Sequence, residues 1–170
     1  MIYLKKLSLN DDETIYDMLQ EIAYDDNGFH NKANGMSYKE FRKWIKKEYA
    51  VDNGKLKHWM VPQTSYWLYD DKRPVGYGRI RHYLNDTLAQ TSGHIGYAIR
   101  NSERGKGYGN AILTLLLQEC KCLNIEKVQI GANIDNAASN KIILKHNGVL
   151  FRCSDSKNFY QIILSDNRND

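Results

Sequence analysis

The chain has two prolines and three cysteines in 170 residues, and none of its apolar runs exceeds a few residues. The scarcity of proline and a total of twelve glycines exclude a collagen-like or proline-rich disordered chain. The short apolar runs exclude a membrane-spanning helix, which needs about 20 such residues. The opening segment MIYLKKLSLNDDE lacks the apolar stretch of a secretory signal. An odd cysteine count is no disulfide framework and points to a reducing, cytoplasmic setting. Cys120 and Cys122 stand two apart on an expected helix and so point in different directions. No partners follow at zinc-like spacing, so no metal is expected. Repeats, linkers and low-complexity runs are also missing.

What is present is the length and composition of one globular domain. Hydrophobic residues make up 42% and charged residues 26%, and 170 residues bury roughly two-thirds of their unfolded surface. A single domain over 1–170 is expected, with residues 165–170 frayed. The net charge of +4 is unevenly laid out. Residues 11–26 carry Asp11, Asp12, Glu13, Asp17, Glu21, Asp25 and Asp26 with no base, which leaves +11 for the rest. Bases are spread over several elements without a nucleic-acid-binding motif, so no nucleic-acid partner is expected.

Hydrophobic periodicity predicts the order β-α-α-β-β-β-α-β-α-β-β. The strands are expected near 2–8, 65–69, 75–83, 93–99, 125–133, 149–153 and 158–164. Helices are expected over 12–26 (stopped by Asn27-Gly28), 37–50 capped by Ser37, 107–123 and 136–147. This is an α/β class of α+β mixed type: a mixed, mostly antiparallel sheet of six to seven strands with about four helices on its faces.

The most informative stretch is Arg100-Asn101-Ser102-Glu103-Arg104-Gly105-Lys106-Gly107-Tyr108-Gly109, between a strand and a helix. Free backbone N–H groups at such a helix start bind anions, and glycines at 105, 107 and 109 let phosphate oxygens approach. Arg100, Arg104 and Lys106 add positive charge, so a polyphosphorylated ligand is expected. Position 110 is Asn, which breaks a dinucleotide G-x-G-x-x-G, and a Walker G-x-x-x-x-G-K-S/T is missing.

This stretch resembles the R/Q-x-x-G-x-G/A signature of the GNAT superfamily of acetyl-CoA-dependent N-acetyltransferases. Asn136-Ala137-Ala138-Ser139 through Gly148-Val149 is similar to the family's second segment, and GHIGYAIR to its fourth strand. The resemblance implies a GNAT-like fold whose fourth and fifth strands splay around the pantetheine arm. The fourth-strand backbone at Tyr97, Ala98 and Ile99 would pair with that arm. Arg104, Gly105, Lys106, Gly107, Tyr108 and Gly109 would hold the pyrophosphate; Asn136, Ser139 and Lys141 would lie along the rest of the cofactor. The implied activity is transfer of acetyl from acetyl-CoA to a primary amine by direct attack in a ternary complex, without a metal. The alternative is a non-catalytic acyl-CoA-binding or sensor domain.

One departure bears on catalysis. Many members place a tyrosine acid in the second segment, where this chain has Ile143; Tyr160 and Tyr97 are the replacement candidates. His94 stands where a number of members carry a glutamate and is a candidate base, with Gly96 and Ala98 on its face leaving room for substrate. Tyr24, Asp25 and Asp26, at the end of the acidic helix, would attract a cationic small-molecule or peptide amine, and Arg81 would bind an acceptor carboxylate. A homodimer through the terminal strands is common in such folds.

Overall fold

The computed structural model describes residues 1–164; the expected fraying of 165–170 lies outside the described residues. The elements run β1 (Ile2–Lys6), α1 (Glu13–Gln20), β2 (Asp25–Asp26), β3 (Phe29–His30), α2 (Tyr38–Asp52), β4 (Gln63–Asp70), β5 (Arg73–Arg81), α3 (Asp86–Thr91), β6 (Ile95–Ile99), α4 (Tyr108–Cys122), β7 (Lys127–Asn133), α5 (Ala137–Lys145), β8 (Val149–Cys153) and β9 (Lys157–Ile163). All seven expected strands and all four expected helices are present. Instead of one continuous ladder there are two antiparallel sheets, ordered β1-β4-β5-β6 and β7-β9-β8, beside the small β2-β3 ribbon.

The larger difference lies at residues 21–30, where the acidic helix stops early. The buried Asn31 side chain donates from Nδ2 to Leu19 O and Ile22 O, both at 2.8 Å, and Asn34 Nδ2 donates to Gln20 O at 3.2 Å. These bonds satisfy carbonyls that a longer helix would have kept for its own ladder. Asn27-Gly28 is therefore a hairpin turn, with φ of 51° and 88°, joining Asp25 and Asp26 to His30 and Phe29. Asn-Gly is the pair such a two-residue turn favours, because both positions need positive φ.

Alternation along β4 and β5 builds a core on each face of the first sheet. Tyr66, Leu68 and Ile80 pack with Ile112, Leu113, Leu116 and Leu117 of α4, and this core continues through Val128, Ile130 and Tyr160 of the second sheet. Trp67, Tyr69 and Tyr77 face Ile15, Met18, Leu19, Phe41 and Ile45 of α1 and α2. Each fully buried aliphatic side chain contributes about 1.5–3 kcal/mol. The first helix pair is fixed by polar bonds as well. Buried Asp11 accepts from Trp67 Nε1 at 2.6 Å and from Ser8 N at 2.8 Å, while Ser37 and Glu40 cap α2 reciprocally.

The two sheets meet where β6 begins beside β7. His94 N–H donates to Gln129 O at 2.8 Å, and Gly93 lies so close that a Cβ there would sit 2.5 Å from Gln129 O. Gly93→Ala is expected to cost at least about 2 kcal/mol, since rigid backbone must move. Urea denaturation checks this; unchanged stability would show that the junction is compliant.

Candidate active site

Beyond the His94–Gln129 contact β6 and β7 share no ladder. Between them opens a cleft of about 570 Å³ whose walls include Ile95, Gly96 and Tyr97 on one side and Ile130 to Asn133 on the other. The β2-β3 hairpin roofs it. Phe29 lies on Gly96, where a Cβ would come within 3.0 Å of the ring, and a Cβ on Gly28 would stand 3.4 Å from Lys157 Nζ and 3.5 Å from Asn133 Oδ1. A second hollow of about 270 Å³ shares His30, Arg79 and Arg81 with the cleft.

At the end of β6 the chain passes a short turn, Asn101–Glu103, and enters α4. Among the described residues the backbone N–H groups from Gly105 to Asn110 have no partner. Gly105 and Gly107 hold φ of 75° and 87° with open space where a side chain would be. A bare row of donors at a helix start fits an anion such as a pyrophosphate. The unladdered edge of β6 fits an extended amide-bearing arm. Gly109 has a different reason to be glycine: its missing side chain makes room for Ile142 of α5, 3.0 Å from where a Cβ would stand.

The cations expected to surround the phosphates are engaged elsewhere. Arg100 is buried and bonds Glu21 and Pro74 O. Arg104 bonds Asp26 at 2.7 Å and Ile99 O at 3.1 Å, and Lys106 bonds Glu103 at 2.9 Å. They set the shape of the turn, and the free N–H groups are left to face a ligand. The Glu21 carboxyl is held down to about 2 by Arg100 first, then by Ser102, whose N–H and hydroxyl both donate to it.

The sequence-derived candidates separate by position. Tyr97 lines the cleft, and its buried hydroxyl has no hydrogen-bond partner although Ser139 lies beside it. Burial raises its pKa, so it keeps its proton. Asn136 caps α5 through Ser139 N, and its Nδ2 donates to Ser139 Oγ at 3.0 Å; both residues line the cleft. Ala98 and Ile99 are buried in β6, while Lys141 is exposed on α5. Tyr160 is outside the cleft, its hydroxyl donating to Asn140 Oδ1 at 2.6 Å. Ile143 is core.

His94 also lies outside the cleft lining. Its Nδ1 accepts from Gln129 N–H at 2.9 Å, so the lone pair a base would use already joins the sheets. Burial lowers its pKa and favours the neutral ring this bond requires.

On the acceptor side Asp25, Asp26 and Arg81 reach the cleft, carried by the hairpin and β5 rather than by a helix end. Tyr24 is 57% exposed and stacks on His30 instead of lining the cavity. Asp26 is half-buried, and burial raises its pKa against the opposing pull of Arg104. His30 was not legible as a site residue; the signal was the Asn27-Gly28 turn, which pairs it with Asp25. Its Nε2 stands 3.6 Å from the Asp25 carboxylate. Among the described residues no group of three His, Cys, Asp or Glu side chains is placed to hold a metal. No described helix is long and apolar enough to cross a membrane.

A sheet parted beside a glycine turn with unpaired N–H groups defines a fold class, and comparison agrees with it. The Acetyltransferase (GNAT) domain family matches residues 2–148, and the chain belongs to this GNAT acetyltransferase family. No curated protein matches its sequence. Among solved structures it is similar to the ribosomal alpha-N-protein acetyltransferase RimL in complex with coenzyme A, at TM-score 0.74 and 15% identity over 96% of this chain and 94% of that one. It also resembles Campylobacter jejuni N-acetyltransferase PseH in complex with acetyl coenzyme A, at 0.65 and 10% over 97% and 100%. A spermidine N-acetyltransferase SpeG chimera from Vibrio cholerae matches at 0.65 and 15% over 95% of each.

Because Glu21 titrates lower when folded than its ordinary 4.5, its stabilisation is complete above about pH 5 and is lost as pH falls through about 2. Glu21→Gln is therefore expected to be less stable than wild type at pH 7, with the gap closing on acidification. Denaturant titrations at pH 7 and pH 2 check this, and a gap independent of pH would refute it.

Proposed function

We propose that the protein transfers the acetyl group of acetyl-CoA to a primary amine by direct attack in a ternary complex. The carrying observation is the parting of β6 from β7 over a cleft lined by Tyr97, together with the free N–H groups of Gly105 to Asn110 in the turn that follows β6, where a Cβ on Gly109 would stand 4.0 Å from the Tyr97 ring. Gly105, Lys106, Gly107, Tyr108 and Gly109 hold the pyrophosphate by backbone, while Arg104, whose N–H donates to Asn101 O at 3.4 Å, shapes the start of the turn; Tyr97, Ala98 and Ile99 offer the β6 edge to pantetheine; Asn136, Ser139 and Lys141 stand along α5. Acetyl-CoA supplies an activated thioester. The acceptor nitrogen forms a bond to its carbonyl carbon as the carbon–sulfur bond breaks. A backbone N–H of β6 steadies the developing oxyanion. The unpartnered Tyr97 hydroxyl donates a proton to the departing thiolate.

The acceptor ammonium must first lose a proton. We assign that step to His30, which faces the cleft with Asp25 beside it, and give His94 the task of joining the sheets. His30→Ala is expected to lower kcat by about 10²–10⁴-fold at neutral pH, with the pH–rate profile changed and CoA binding retained. His94→Ala is expected to act mainly through thermal stability. The reverse pattern, His94 controlling the pH profile of a stable variant, would return the base role to it.

Gly107→Asp places a carboxylate among the phosphate-binding N–H groups and is expected to abolish CoA binding in calorimetry. Unchanged affinity would overturn the phosphate site. The buried Ile143 in place of a tyrosine favours a second reading, a non-catalytic acyl-CoA-binding domain. Thiol release from acetyl-CoA over a panel of amines separates the two. The three free cysteines support the cytoplasmic assignment. Exposed Val149, Leu150 and Phe151 on edge strand β8 support a homodimer.

A further inference from the structure

The acceptor end of the cleft is crowded with donors whose partners are missing. Arg79 stands on β5 opposite Ser65 of β4 and Gly96 of β6, two small residues that leave its guanidinium room. That group is held between aromatic rings, 5.4 Å from the centre of Phe29 and 5.5 Å from that of Tyr77, and donates to the Tyr77 hydroxyl at 2.8 Å. Its Nε is buried with no partner. Arg81, two residues on and so on the same face, donates to Gly93 O at 3.0 Å.

Arg73, Arg100 and Arg104 each pair with a carboxylate. Arg79 and Arg81, which line both the cleft and the adjoining hollow, have no carboxylate within 4 Å among the described residues. The carboxylates nearest in influence to Arg79 are Glu48 and Asp52. Asp52 accepts from Ser65 N at 2.7 Å, from Ser65 Oγ and from Gln63 Nε2. Glu48 lines the hollow, and burial raises its pKa, which weakens it as a fixed counter-charge. Lys32 and Trp44 line the same hollow, and the Trp44 indole N–H is also buried without a partner. Burial and the repulsion of Arg79 push Arg81 down to about 10.

Both guanidinium groups are half-buried, and charges drawn out of water are normally paired, because an isolated charge in a poorly solvated site is costly. Two of them side by side also repel each other, so a bound anion relieves both penalties. The planar fork of arginine matches a carboxylate with two parallel hydrogen bonds.

We propose that Arg79 and Arg81 bind a carboxylate on the acceptor, so that the substrate is an amine that is also an acid, such as an amino acid. This rests on amine acetylation in the cleft and narrows it. The amine of such an acceptor reaches toward Asp25, Asp26 and His30 while its carboxylate stays on β5. A polycation such as spermidine would meet two guanidinium groups of its own sign.

The test compares free L-amino acids with their C-terminal amides and with spermidine as acceptors for the wild-type protein, by thiol release from acetyl-CoA. Free acids are expected to exceed their amides by about 100-fold in kcat/KM, since the amide leaves buried donors without their anion. Arg81→Gln is expected to remove most of that preference by raising KM for the acids alone, and its melting curve reports folding. Amides or spermidine turned over as well as the acids would overturn the carboxylate site and leave acetyl transfer standing. If no amine is acetylated, acetyl transfer fails, and calorimetry on the CoA-loaded wild type decides the site. Binding of the acids but not the amides supports it, and equal or absent binding of both overturns it.

Discussion

Everything in the site depends on two neighbouring strands that touch at one end and then part. At His94 and Gln129 the backbones of the two sheets are joined by one N–H to carbonyl bond and one N–H to imidazole bond. One residue earlier Gly93 permits an approach that no side chain would allow. Beyond that point β6 keeps its ladder with β5 and β7 its ladder with β9, and among the described residues no backbone ladder joins β6 to β7. An open edge inside a protein ordinarily attracts a strand. Here it lies along a cleft, under the hairpin, and the strand runs on into the glycine turn. The histidine that holds the strands together is as necessary as one that would act on substrate, but its lone pair serves geometry.

The uneven charge of the chain is resolved internally. Of the seven carboxylates in residues 11–26, Asp11 anchors Trp67, Glu21 bonds Arg100 and Ser102, and Asp26 bonds Arg104. Buried or half-buried pairs of this kind define a shape more than they add net stability. The turn after β6 is clamped by the first helix and the hairpin, so acceptor-side and cofactor-side elements share bonds. Against that background the pair Arg79 and Arg81 stands out: both line the cleft, and among the described residues neither has the carboxylate partner that Arg73, Arg100 and Arg104 have.

Strand and helix identities are legible because apolar alternation and periodicity are local properties, and the glycine turn because glycines at a helix start leave backbone N–H groups open. Asn27-Gly28, the expected helix stop, is a hairpin turn. The deciding contacts come from Asn31, a buried polar side chain whose capping of Leu19 and Ile22 no periodicity announces. The hairpin brings His30 to the cleft and carries Asp25 and Asp26 there on a strand instead of a helix end. Arg100, Arg104 and Lys106 were legible as cations near the turn, but their carboxylate partners lie up to 79 residues away in sequence. The position of His94 opposite the family's glutamate and the phenol of Tyr160 are legible in the sequence, whereas their bonds to Gln129 and Asn140 are matters of three-dimensional register. Tyr97 became distinct from Tyr160 only through the burial of a hydroxyl without a partner.

The most direct measurement is a crystal structure of the protein grown with coenzyme A. The pyrophosphate should lie on the N–H groups of Gly105 to Gly109, and the pantetheine should follow the free edge of β6, its thiol near Tyr97 and Ser139. Coenzyme A bound elsewhere, or β6 and β7 zipped into a continuous ladder, would contradict the parted strands as the basis of the site.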